Sequence, residues 1–206
     1  MKVIGITGGV GSGKSEVLRL LEEKFNCGVI RTDDVARSLC EPGEKSYEMI
    51  VKVFGKEILD REGNLDRSKI ASIVFEDEEK RKALNQCTHP QVYEWVRNKV
   101  REWRTENRYS MITVEAALMD ELKEIGVCES CWYVHVKPEI RRERLRISRG
   151  YSDEKMDAIF ASQLPESVFF DGCDVVIDNN SDLENVEKQL IPLCKYHQSG
   201  GETKKY

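Results

Sequence analysis

The segment Gly8-Gly9-Val10-Gly11-Ser12-Gly13-Lys14-Ser15 carries residue types that could do chemistry at a spacing that suits it. Glycines at 8, 9, 11 and 13 are entropically costly to order, and they let consecutive backbone N–H groups point inward as a nest for an anion. The run fits G-x-x-x-x-G-K-[ST], with an apolar stretch before it and an amphipathic stretch after it. In that pattern Gly9, Gly11, Ser12 and Gly13 cradle phosphate oxygens. Lys14 reaches the β- and γ-phosphates as a point charge, and the Ser15 hydroxyl serves Mg²⁺. A helix N-terminus behind the turn adds partial positive charge. The ligand implied is a nucleoside triphosphate with Mg²⁺. A purely structural glycine turn would leave Lys14 unexplained.

Transfer of a phosphoryl group needs more than a cradle. Asp33, at the end of "CGVIRTD", can accept a proton from an attacking hydroxyl; the competing role is that of N-cap to the next helix. The run "KPEIRRERLRISR" holds Lys137, Arg141, Arg142, Arg144, Arg146 and Arg149 against Glu139 and Glu143, an excess of cations suited to clamping phosphates. Helical spacing predicts Arg142, Arg146 and Arg149 on one face, Ile140 and Ile147 on the other, and Arg144 nearer the apolar side. Gly150 is a candidate hinge, and the segment Lys137–Glu166 is expected to order on binding nucleotide. Glu115 could orient Mg²⁺-bound water or serve as a cap or ion pair. Asn179 could line a base pocket or form a turn. His89, before Pro90, could touch an acceptor or be structural.

These groups need a scaffold. "KVIGIT" (Lys2–Thr7), "CGVIRTD" (Cys27–Asp33), "SMITVEA" (Ser110–Ala116), "CWYVHV" (Cys131–Val136) and "DVVID" (Asp174–Asp178) read as strands separated by helical patterns. That alternation predicts an α/β fold with a mostly parallel sheet, whose ligands gather beyond the carboxyl ends of the strands. The first helix should bury Val17, Leu18, Leu21 and Phe25. Roughly seventy residues separate the second and third strands, more than a crossover requires. They read as helices over Asp34–Cys40, Lys45–Phe54, Arg67–Phe75, Asp77–Cys87 and Pro90–Glu106. A second insertion follows the fourth strand, and the tail "HQSGGETKKY" is polar. Trp95, Trp103 and Trp132 are assigned to packing.

The chain has 206 residues, 40% of them hydrophobic, and a formal net charge of −5. That supports one sizeable core and argues against a nucleic-acid or membrane partner. No run approaches a membrane span. Seven dispersed cysteines without a secretory signal point to reduced thiols and a cytoplasmic location. Cys128 and Cys131 form a C-x-x-C without a second ligand pair, so a loop before a strand is expected rather than a zinc site.

A GTPase would need N-K-x-D; Asn98-Lys99 continues Val100-Arg101, and Asp60-Arg61-Glu62-Gly63 fits D-x-x-G only within an apparent turn. "GITGGVGSGKS", "TDDVAR" followed by "EPG", "GNLDRSKIASIVF", His89-Pro90, "VEAAL" and "DVVIDNN" together resemble the dephospho-coenzyme A kinase family from Val3 to about Asn180. The resemblance implies a P-loop nucleotide-kinase-like core with a five-stranded parallel sheet, a helical substrate-binding insertion and a helical lid. The implied division is a core of residues 1–34, 107–136 and 170–206, a CoA-binding subdomain of 35–106, and a lid of 137–169. It implies transfer of the ATP γ-phosphoryl group to the ribose 3′-hydroxyl of dephospho-CoA with Mg²⁺, by a monomer or weak oligomer. Asp33 then matches the catalytic carboxylate, with Lys14 and Arg144 beside it; Arg37 and His89 fall to the acceptor, and Arg146, Arg149 and Asn179 to ATP. Members often carry Pro-Leu-Leu where this chain has Ala116-Ala117-Leu118, and an arginine where it has Ser148. The alternatives are a P-loop kinase of another small acceptor, such as a nucleoside or nucleotide, and a non-catalytic nucleotide switch.

Overall fold

The computed structural model describes residues 1–75, 77–116 and 119–198. Ala117 and Leu118 of the "VEAAL" segment and residues 199–206 of the polar tail lie outside the described residues. The chain forms two compact units, one of Met1–Ile30 with Val100–Tyr206, the other of Arg31–Lys99.

The first unit is built on a five-stranded parallel sheet in the order β2-β3-β1-β4-β5. The strands are β1 (Lys2–Thr7), β2 (Cys27–Arg31), β3 (Met111–Glu115), β4 (Ser130–His135) and β5 (Val175–Asp178). β1 pairs in parallel with β3 and β4, and β4 with β5. The central place of β1 explains its unbroken apolar run, because a parallel strand inside an α/β sheet is covered on both faces. Helices α1 (Lys14–Phe25) and α10 (Leu183–Gln198) cover one side. Val17, Leu18 and Leu21 of α1 meet Ile4, Ile6, Trp132 and Val134, with Phe25 partly buried against them, as the helical spacing predicts. Register sets Ile6 beside Glu115 and Thr7 beside Tyr133, so the ends of β3 and β4 flank the turn that follows β1. Among the described residues no helix is long and apolar enough to cross a membrane.

The second unit holds α2 (Thr32–Ser38), α3 (Lys45–Phe54), a short 3₁₀ turn (Lys56–Ile58), α4 (Arg67–Phe75) and most of α5 (Glu78–Glu106). Ile50, Ile58, Ile70 and Cys87 form its core. The D-x-x-G run is a turn. Asp60 Oδ1 accepts from the N–H groups of Glu62 and Asn64, each at 2.9 Å, and these donors, Asn64 foremost, hold the Asp60 carboxyl below its ordinary value.

Three expectations are corrected. β2 stops at Arg31, and the helix begins at Thr32, so Asp33 sits in the first turn of α2 and is not its N-cap; that position is Arg31, without a side-chain cap. Acidic Asp33 and Asp34 there complement the helix dipole. The two helices expected around Pro90 are one, α5, with Pro90 inside it, so His89 is within a helix and not at a junction. The proline costs one backbone hydrogen bond, but Cys87, Val92, Val96 and Val100 are buried at near-helical intervals through the break and hold both halves in register. The third correction concerns the cationic helix α7 (Pro138–Arg149). Ile147 is 79% exposed, and the inward residues are Arg141 and Leu145.

Candidate active site

The glycine turn leaves β1 and enters α1 within a few residues. Gly11 and Gly13 have φ near +82° and +81°, the left-handed region where a side chain is strained. Gly13 is the N-cap of α1, so the free N–H groups of the first helical turn open onto the loop. The Ser12 N–H donates to Gly9 O at 3.1 Å, which closes the turn tightly. Lys14 Nζ donates to Gly8 O at 2.7 Å and lies 3.8 Å from Glu115 Oε1. The ammonium is thereby held back across the loop it follows. The buried hydroxyls of Thr7 and Ser12 have no hydrogen-bond partner among the described residues; buried polar atoms without partners suit a site completed by an oxygen-rich ligand.

The loop is gripped from two directions. Asn179, just after β5 and buried, donates from Nδ2 to Ser12 O at 2.8 Å, and a Cβ at Gly13 would collide with its amide. From α7, Arg141 Nε donates to Val10 O at 2.9 Å, and a Cβ at Gly9 would collide with its guanidinium. Burial pushes that guanidinium below its ordinary value, with Tyr133 and Glu166 acting the other way. Arg144 Nη2 donates to Asn179 O at 2.9 Å. Lys14, Glu115, Arg144 and Asn179 therefore gather at the turn. Arg146 pairs instead with Asp153 at 2.6 Å, and Arg149 stands 5.8 Å from the Tyr151 ring centroid. The amide of Asn179 is spent on the loop backbone. The sequence shows Arg141 only as one of the lid cations; it lies four residues before Leu145 on the buried helical stripe, a pattern masked by the apolar spacing of Ile140 and Ile147.

An oxygen donor set of one hydroxyl and one carboxylate fits Mg²⁺, so Ser15 and half-buried Glu115 suit that ion. In the second unit, Asp33 and Arg37 are exposed on α2, and Arg37 pairs with Asp34 at 2.9 Å. Tyr93 Oη lies 3.2 Å from His89 Nδ1, and burial lowers the His89 pKa. Cys128 precedes β4 in a loop, as expected, while Cys131 lies on the strand with its Sγ 3.0 Å from that of Cys173.

Asn179→Ala is expected to destabilise the protein by about 1–3 kcal/mol, because it strands a buried Ser12 carbonyl. Melting with and without ADP–Mg²⁺ checks this: the melting temperature should drop by several degrees and the ligand-induced rise should shrink.

A parallel sheet, a glycine turn entering a helix, a lysine folded over it and an arginine helix beside it define the chain as a P-loop kinase. The dephospho-CoA kinase profile matches residues 2–185, and the chain belongs to that family. Relatives named dephospho-CoA kinase include that of Carboxydothermus hydrogenoformans, 35% identical over 95% of this chain and 94% of its own. That of Oceanobacillus iheyensis is 40% identical over 91% and 94%. Among solved structures, TT1252 from Thermus thermophilus superposes with a TM-score of 0.77 at 30% identity, covering 94% of this chain and 96% of its own.

Proposed function

We propose that this chain transfers the γ-phosphoryl group of ATP to the ribose 3′-hydroxyl of dephospho-CoA, giving CoA and ADP, the last step of CoA biosynthesis. The observation that carries this is the family match across residues 2–185, which spans the glycine turn, the helical second unit and the arginine helix together. In this reading residues 35–106 hold the acceptor, with Arg37 and His89 in contact with it, and residues 137–169 act as the lid. Seven free cysteines fit a reducing, cytoplasmic setting.

The transition state of phosphoryl transfer is loose, so the protein's task is positioning and charge neutralisation. Backbone N–H groups of Gly9–Ser15 bind the phosphate oxygens. Lys14 leaves Gly8 O for the β- and γ-phosphates. Ser15, and Glu115 through a water, would hold Mg²⁺, which would supply neutralisation of phosphate charge. Arg144 covers the transferring group from the Asn179 side, and Arg146 and Arg149 leave Asp153 and Tyr151 to join it on lid closure. Asp33 orients the 3′-hydroxyl and takes its proton.

A coupled ADP-release assay over an acceptor panel tests the reading. Dephospho-CoA should support turnover at least a hundredfold faster than adenosine or AMP. Comparable turnover on either of those, or none on dephospho-CoA, would overturn it.

A further inference from the structure

Among the described residues Arg141 is the single charged side chain with under a tenth of its surface exposed, at 7%. Burying a guanidinium is costly unless every arm is occupied. Here the guanidinium makes three attachments, one to the glycine turn and two to α8 (Asp153–Ala161) and the residues just after it. Nε donates to Val10 O at 2.9 Å in the glycine turn. Nη2 donates to Gln163 Oε1, just beyond α8. The plane stacks over the Phe160 ring of α8, 4.3 Å from its centroid. The neighbouring Arg142 also lies over the Phe160 ring, 5.1 Å from its centroid, and pairs with exposed Asp157 and Asp153, but among the described residues it shows no hydrogen bond to the turn.

The Val10 carbonyl belongs to a planar trans peptide shared with the Gly11 N–H. In a trans peptide the two bonds point in opposite directions. A donor that draws the Val10 oxygen toward α7 therefore aims the Gly11 N–H away from α7. Gly11 has no side chain to resist rotation of that peptide, and its φ near +82° is one that few other residues share. A flexible peptide in a phosphate nest needs an external hold, and Arg141 supplies one from the lid.

We infer that Arg141 is a positioning residue for the nucleotide: it fastens the Val10–Gly11 peptide to α7 and α8, so that phosphate affinity and the order of α8 rise and fall together. The inference rests on the proposed ATP site but not on the identity of the acceptor. Lysine can replace one of the three attachments and not all, because its ammonium is not a planar fork. Glutamine can replace one without leaving a buried charge.

The test is titration of the full chain with ADP–Mg²⁺ and with a non-hydrolysable ATP analogue, alongside steady-state kinetics and hydrogen exchange. Arg141→Gln should weaken both nucleotides about tenfold or more, since a hydrogen bond from a charged donor is lost. Arg141→Lys should fall between Gln and wild type. The KM for dephospho-CoA should move less than twofold. Exchange should quicken at the turn and at α8 together. Lys188→Gln, which removes an exposed cation paired with Glu184 inside α10, should leave nucleotide affinity within twofold of wild type. Wild-type affinity in Arg141→Gln, even with a lowered melting temperature, would overturn the inference, as would an equal loss in Lys188→Gln. Should Arg141→Gln not fold, unchanged nucleotide affinity in Arg141→Lys decides against it. Failure of the wild type to phosphorylate dephospho-CoA would sink the proposed reaction and leave the nucleotide titration to decide on Arg141.

Discussion

Asp33→Asn is expected to lower kcat with dephospho-CoA by about 10²–10⁴-fold, the range for loss of a positioned general base. The substitution keeps size and shape and removes the charge. Asp33 is exposed in the first turn of α2 and makes no side-chain cap, so its contribution to stability is limited to the helix dipole, about 0.3–1 kcal/mol. For a chain of this size that is a few degrees of melting temperature at most. Affinity for ATP–Mg²⁺ should stay within twofold. The measurement is single-turnover kinetics beside a thermal melt and a nucleotide titration. A variant that turns over like wild type would remove Asp33 from the reaction and direct the search for the base to Glu115.

Lys14→Ala is expected to cut ATP affinity roughly 10- to 100-fold, by loss of a charge-assisted phosphate contact of about 1.5–3 kcal/mol. It should also reduce kcat about 10²–10³-fold, since the same ammonium neutralises charge that grows as the phosphoryl group moves. The ammonium rests on Gly8 O at 2.7 Å, with the Glu115 carboxylate at 3.8 Å, so it is held at the turn before any nucleotide arrives. Equilibrium binding of a fluorescent ATP analogue and initial rates separate the two effects. Undiminished affinity and turnover would dissolve the phosphate-cradle assignment.

The strand, glycine turn and first helix were legible because their signals are local. A β-branched run, four glycines and an apolar stripe each act within a few residues. The arginine excess of α7 was legible as composition, but its inward face was not. Counting isoleucines as the buried stripe assumes that charge stays in solvent, whereas Arg141 finds a carbonyl, an amide oxygen and an aromatic ring inside. Those partners come from distant stretches that spacing cannot bring together. The same holds for the Asn179 amide on Ser12 O, a bond between residues 167 positions apart. Pro90 misled in the opposite direction. As a local signal it ended a helix, and the buried positions on either side of it overrode the signal.

The grip of Asn179 on Ser12 bears on how the protein is made. Synthesis delivers the glycine turn well ahead of its partner, 167 positions before Asn179, but β1 lies in the middle of the sheet and waits for β3 and β4 to pair with it. Its turn then waits for Arg141 and finally for Asn179. Such sequence-distant contacts form late and slowly. A nascent chain therefore exposes a phosphate loop that lacks its last clasp until Asn179 itself has left the ribosome. Nucleotide would then bind after β5 and Asn179 have emerged rather than guide the folding of the segments before them. Ribosome-bound chains stalled before β5 should retain ATP poorly, and chains stalled far enough beyond Asn179 for it to clear the exit tunnel should retain it well.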